Sequence, residues 1–109
     1  MVLSWRSDLI EPVVVEDGAG GLWVGVDQRV VALAADGVRF SAGLSSPLLD
    51  IKRFPAFVVI LCDADLLMVN EDYSVRRIET LADVPSSVEL VGDRLSVTFL
   101  DGSVTGVST

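Results

Sequence analysis

The stretch Phe54-Pro-Ala-Phe-Val-Val-Ile-Leu-Cys-Asp-Ala-Asp-Leu-Leu-Met-Val-Asn-Glu-Asp-Tyr-Ser-Val75 decides the fold. Two apolar runs, Phe57 to Leu61 and Leu66 to Val69, flank the polar corner Asp63 to Asp65. Asn70-Glu71-Asp72 then turns the chain again. Short runs of β-branched and large apolar residues bounded by Asp and Asn are the sequence form of a β-hairpin leading into a third strand. The first run does not alternate: Phe57, Val58, Val59, Ile60 and Leu61 are all apolar, so both faces of this strand require cover. One face belongs to the core. The other needs the N-terminal segment of the chain or a second subunit, and burying about four large side chains there is worth roughly 1.5–3 kcal/mol each.

Working outward, no window holds an i, i+3, i+4 apolar pattern over three turns, and Thr80 to Val84, stopped by Pro85, is the best helical candidate. The remaining chain predicts strands at Val2 to Arg6, Pro12 to Glu16, Leu22 to Val26, Arg29 to Ala35, Val38 to Ser41, Leu48 to Arg53, Val88 to Val91, Arg94 to Leu100 and Ser103 to Val107. Gly92-Asp93 suits a type II′ turn and Asp101-Gly102 a type I′ turn, because these residues tolerate positive φ. With 109 residues there is room for one domain, here an all-β one with little or no helix.

The pattern recurs along the chain. Pro55 to Val75 lies over Pro85 to Val104 with one residue skipped, setting Asp63 on Asp93 and Asp72 on Asp101, and Leu22 to Val38 fits the same template. Three antiparallel β-meanders are expected, at about 22–41, 55–79 and 85–107, in an open, propeller-blade-like or sandwich arrangement. The motif of apolar strand, turn, apolar strand, Asp-Gly, strand resembles the blades of β-propellers of the quinoprotein or WD-repeat kind over roughly Leu22 to Val107. It is also similar to small bacterial proteins of unknown function that carry one or two such meanders. The Trp-Asp and Gly-His pairs of those blades are absent, and three short meanders do not close a ring. The resemblance therefore implies a blade-like fold and carries over no activity.

Half of the residues are hydrophobic, yet the longest apolar stretch, Pro55 to Cys62, is far short of the roughly 20 residues of a membrane helix. No secretory signal pattern opens the chain, and a lone cysteine suits a reducing compartment, so a cytoplasmic location without membrane contact is expected. The net charge of −8 opposes binding to nucleic acid and favours a basic protein partner, if any charged one.

The chemistry-bearing residues are few. There is no histidine, which removes the commonest general base and metal ligand. Cys62 stands beside Asp63, a charge that raises a thiol pKa, and reads as structural. Asp63-Ala-Asp65 and Asn70-Glu-Asp72 resemble the opening of a calcium loop without its glycine and distal glutamate. They fall at opposite ends of one strand, roughly 15 Å apart at about 3.3 Å per residue, and cannot share an ion. Asp17-Gly-Ala-Gly-Gly21 precedes a strand and lacks the helix that a phosphate loop requires. Lys52-Arg53 and Arg76-Arg77 are the paired basic residues, read as surface groups. No metal, cofactor or catalytic residue is assigned. Trp5, Trp23, Phe57, Val59 and Leu61 are the candidate interface anchors. The expected function is a non-enzymatic protein-interaction module, an adaptor or immunity-like protein that self-associates as a homodimer. The alternatives are a small-ligand binder with a pocket between meanders and, third, a carboxylate-dependent hydrolase.

Overall fold

In the computed structural model the described residues, 12–16 and 20–109, form eleven β-strands and no helix. The first sheet holds β1 (Val13–Glu16), β2 (Leu22–Val26), β3 (Arg29–Ala34) and β4 (Gly37–Gly43). The middle sheet holds β5 (Leu48–Arg53), β6 (Phe57–Cys62), β7 (Asp65–Asn70) and β8 (Val75–Thr80). The last holds β9 (Pro85–Val91), β10 (Arg94–Phe99) and β11 (Val104–Ser108). Every sheet is an antiparallel meander with strands in chain order, and none closes into a barrel. The all-β, three-meander expectation is met. The first and middle meanders each gain a leading strand, β1 and β5, beyond the repeat read from the sequence. The expected strand Val2 to Arg6 lies outside the described residues.

The middle sheet is the centre of three layers. All twelve residues of β6 and β7 except the two ends of β7 are buried. Register divides them by face: Val59 pairs with Met68 and Leu61 with Leu66, while Val58 pairs with Val69 and Ile60 with Leu67. The first set, with Phe57, packs on Val88, Leu95, Val97, Phe99 and Val107 of the last sheet. The second packs on Trp23, Val30 and Ala32 of the first sheet. A strand buried on both sides has no use for polar alternation, which is why Phe57 to Leu61 is continuously apolar. In β10, by contrast, Leu95, Val97 and Phe99 are buried and Arg94, Ser96 and Thr98 look outward, the period-2 pattern of a half-covered strand.

Gly25 marks a close approach. A Cβ there would collide with Leu48 Cδ1 and sit 3.2 Å from Ile51 Cδ1, so with glycine at this position β5 closes on β2 without displacing those side chains.

Two local expectations are corrected. Thr80 ends β8 and residues 81–84 form bends, not a helix, because Leu81 is drawn into the core and its N–H donates to Ala64 O. The Asp101-Gly102 corner is not type I′, since only Gly102 has positive φ (90°). It is a three-residue loop closed by Gly102 N–H to Phe99 O and Phe99 N–H to Ser103 O, with the left-handed residue last, as in a type I turn plus bulge. Gly92 has positive φ (63°) and Asp93 does not, in keeping with type II′.

Candidate functional site

One end of the three-layer stack is tied shut. Ser45 and Ser46 hydroxyls donate to the Asp65 carboxylate, Ala64 N–H donates to Ser46 Oγ, and Asp63 N–H donates to Pro47 O. Cys62 lies in this corner. Burial, then the charge of Asp65 and a hydrogen bond with it, push its thiol up to about 12, so the thiolate needed for nucleophilic or redox work is suppressed near neutral pH.

The other end opens into a cleft of about 600 Å³, where β5 ends, β6 begins and β7 ends. Trp23 from β2, Val58, Val69, Phe54, Phe57 and Tyr73 line it. Four of the chain's seven aromatic side chains thus meet at one place. Trp23 and Tyr73 stand 6.0 Å apart between ring centroids, and Phe54 and Phe57 5.5 Å apart. Arg53, Asn70 and Glu71 complete the lining. Lys52 Nζ lies 6.0 Å from the centre of the Phe54 ring, and the Arg76 guanidinium 5.0 Å from that of Phe57.

The turn that presents Tyr73 has a counterpart in the last sheet. Ser74 N–H and Oγ–H both donate to Asp72 Oδ1, and Ser103 N–H and Oγ–H both donate to Asp101 Oδ1. These bonds hold both carboxyls below their ordinary pKa. Tyr73 N–H donates to Asn70 O as Gly102 N–H does to Phe99 O. The left-handed position that glycine fills in one turn is filled by tyrosine, at φ 68°, in the other. A non-glycine residue held there costs about 1–3 kcal/mol, and such strain collects where a side chain must be placed.

The two ends of the stack differ. On the outer side of the first sheet, register sets Val14, Val24 and Val31 in one row and Leu22, Leu33 and Val38 in the next. Val14, Leu22 and Val38 are 54%, 38% and 62% exposed. The corresponding side of the last sheet carries Ser87, Glu89, Arg94, Ser96 and Thr98, with Val91 and Val104 the exceptions, and the Arg94 side chain lies against Gly106. A terminal layer with a polar outer face ends a stack, and an apolar one leaves it uncapped.

Of the expected interface anchors, Trp23, Phe57, Val59 and Leu61 are buried between the chain's own sheets, and Trp5 lies outside the described residues. The outer residues Val14, Leu22 and Val38 were not singled out in the sequence, where Val and Leu doublets carry no sign of which layer covers them. Among the described residues no group of three His, Cys, Asp or Glu could hold a metal ion, and no helix is long and apolar enough to cross a membrane. No family model matches the chain, and no curated protein matches it significantly.

Proposed function

We propose that the chain is a non-enzymatic protein-interaction module that pairs with a second copy through the outer face of the first sheet. The observation that carries this reading is the contrast between the two end layers: six aliphatic side chains in two rows on one, a largely polar face on the other. The same face holds one acid, Glu16, and one base, Arg29, near opposite corners. It is therefore close to neutral on a chain of net charge −8, and two copies meet there with the least repulsion. A two-fold pairing makes such a face complementary to itself. The non-enzymatic part rests on the suppressed Cys62 thiol and on the depressed Asp72 and Asp101 carboxyls, none of which is poised for proton transfer near neutral pH.

Burial of a few half-exposed aliphatics, at roughly 25 cal/mol per Å², is only modestly above the cost of association, so the dimer is expected to dissociate in the micromolar range. Light scattering and sedimentation between about 1 and 200 μM test it. A dimer should form, strengthen with salt as the repulsion is screened, and fall to monomer in the Val14→Lys and Val38→Lys variants. A wild-type chain that stays monomeric throughout refutes the reading. So does a dimer indifferent to both substitutions.

A further inference from the structure

The aromatic cleft at the open edge of the middle sheet is a separate feature from the outer face, and self-association leaves it unexplained. We infer that it is a binding site for a small amphipathic anion, a flat apolar body carrying a carboxylate, with the body against the half-exposed rings of Tyr73 and Phe54 and the anionic group at Arg53. Three observations converge on this ligand class. Four aromatic side chains, two valines and Pro55 line the cleft, which suits a flat hydrophobic body over a sugar or a metal complex. Among the described residues Arg53 is the one basic side chain that lines the cleft, while Lys52 turns to Val88 O of the last sheet and Arg76 to Asn70 Oδ1. Arg53 gives one N–H, on Nη1, to Glu16 O. A guanidinium has further donors in the fork geometry that a carboxylate accepts.

The third observation is Tyr73 itself. Its turn repeats the Asp101-Gly102-Ser103 turn bond for bond, yet carries a strained tyrosine where glycine is the relaxed choice. The ring it gains lies over Trp23 and closes the side of the cleft. Strain kept in one of two otherwise equivalent turns points to a use for that ring.

The test uses three probes of one shape on the full chain: 2-naphthoate, its neutral amide and 2-naphthylmethylammonium. Titration by calorimetry and by amide NMR should show 2-naphthoate binding one per chain, with shifts at Val58, Val69 and Tyr73. The amide should bind at least tenfold more weakly, and the ammonium more weakly still. Arg53→Met should bring 2-naphthoate down to the level of the amide. Tyr73→Gly, which relaxes its turn, should weaken all three probes while circular dichroism shows the strands intact. No binding by 2-naphthoate overturns the inference, as does an equal or tighter ammonium complex or a set of shifts on the outer face of the first sheet. If Arg53→Met disturbs the fold, Tyr73→Gly decides: undiminished binding there overturns it.

Discussion

Lys52 and Arg53, adjacent on β5, reach in opposite directions and tie the middle sheet to both of its neighbours. Lys52 Nζ donates to Val88 O of β9 at 3.0 Å, and Arg53 Nη1 donates to Glu16 O of β1 at 2.9 Å. Successive side chains of a strand leave from opposite faces, so one basic pair at a sheet edge can serve two interfaces. The carbonyls they reach belong to β9 and β1, which are edge strands among the described residues.

Removing these ties should loosen different halves of the molecule. Lys52→Met and Arg53→Met should each lower the unfolding free energy by about 0.5–1.5 kcal/mol, at the modest end because both groups are partly solvated. Hydrogen exchange separates them: Lys52→Met should speed exchange in β9 to β11, and Arg53→Met in β1 and β2. Identical exchange patterns in the two variants would refute the division.

Position along one cross-strand row should decide the cost of losing an isoleucine. Ile51, Ile60, Leu67 and Ile78 lie side by side in the middle sheet, yet Ile60 is fully buried and Ile78 is 64% exposed. Ile60→Ala should cost about 2–5 kcal/mol and Ile78→Ala under about 0.5 kcal/mol in denaturant titrations.

Gly25 offers a test of interlayer spacing. Gly25→Ala pushes a methyl into Leu48 and Ile51 and should destabilise by about 1–3 kcal/mol. Leu48→Ala made in the Gly25→Ala background should restore part of the loss, because the colliding atoms are gone. A double variant whose loss equals the sum of the singles would show that the clash is not the cause.

Much of this architecture was legible in the residues. The continuous run Phe57 to Leu61 announced a strand covered on both sides, and the repeat that sets Asp72 on Asp101 announced equivalent corners. Less legible was the partition between layers. Leu22 to Val26 and Arg29 to Ala34 are nearly as apolar as β6, yet among the described residues no other sheet meets their outer side, because their sheet is an end layer of the stack and not its middle. Burial on two sides is a matter of order in the stack, which periodicity does not encode. The cleft was hidden for another reason. It depends on the left-handed backbone at Tyr73, and tyrosine gives no signal of that conformation, whereas Gly102 does.

Alkali should reveal the Cys62 environment. Its folded pKa is raised from 9.0 to about 12, so the unfolded chain ionises first and the associated stability, complete below about pH 9, is lost as pH rises towards 12. The difference between wild type and Cys62→Ala in unfolding free energy should therefore narrow across that window. At pH 8 the native thiol should resist iodoacetamide, and rapid alkylation there would contradict the buried assignment.

Acid should report the Ser-capped carboxyls. Asp101 has its pKa lowered below 3.8 chiefly by the Ser103 hydroxyl, then by the Ser103 N–H. Its contribution is present above 3.8 and fades as pH falls through the depressed value. Ser103→Ala should move the Asp101 titration, followed by carbon NMR, up towards the ordinary range.

The double burial of β6 and β7 has a consequence for biosynthesis. A ribosome delivers the chain from its N-terminus, so the side formed by Phe57, Val59, Leu61, Leu66 and Met68 emerges while Val88, Leu95 and Val97 are still inside the ribosome and not free to receive it. For that interval the nascent polypeptide displays a sticky ribbon of the kind that trigger-type chaperones hold, and the closing stretch from Pro85 onward sets the moment at which that exposure ends.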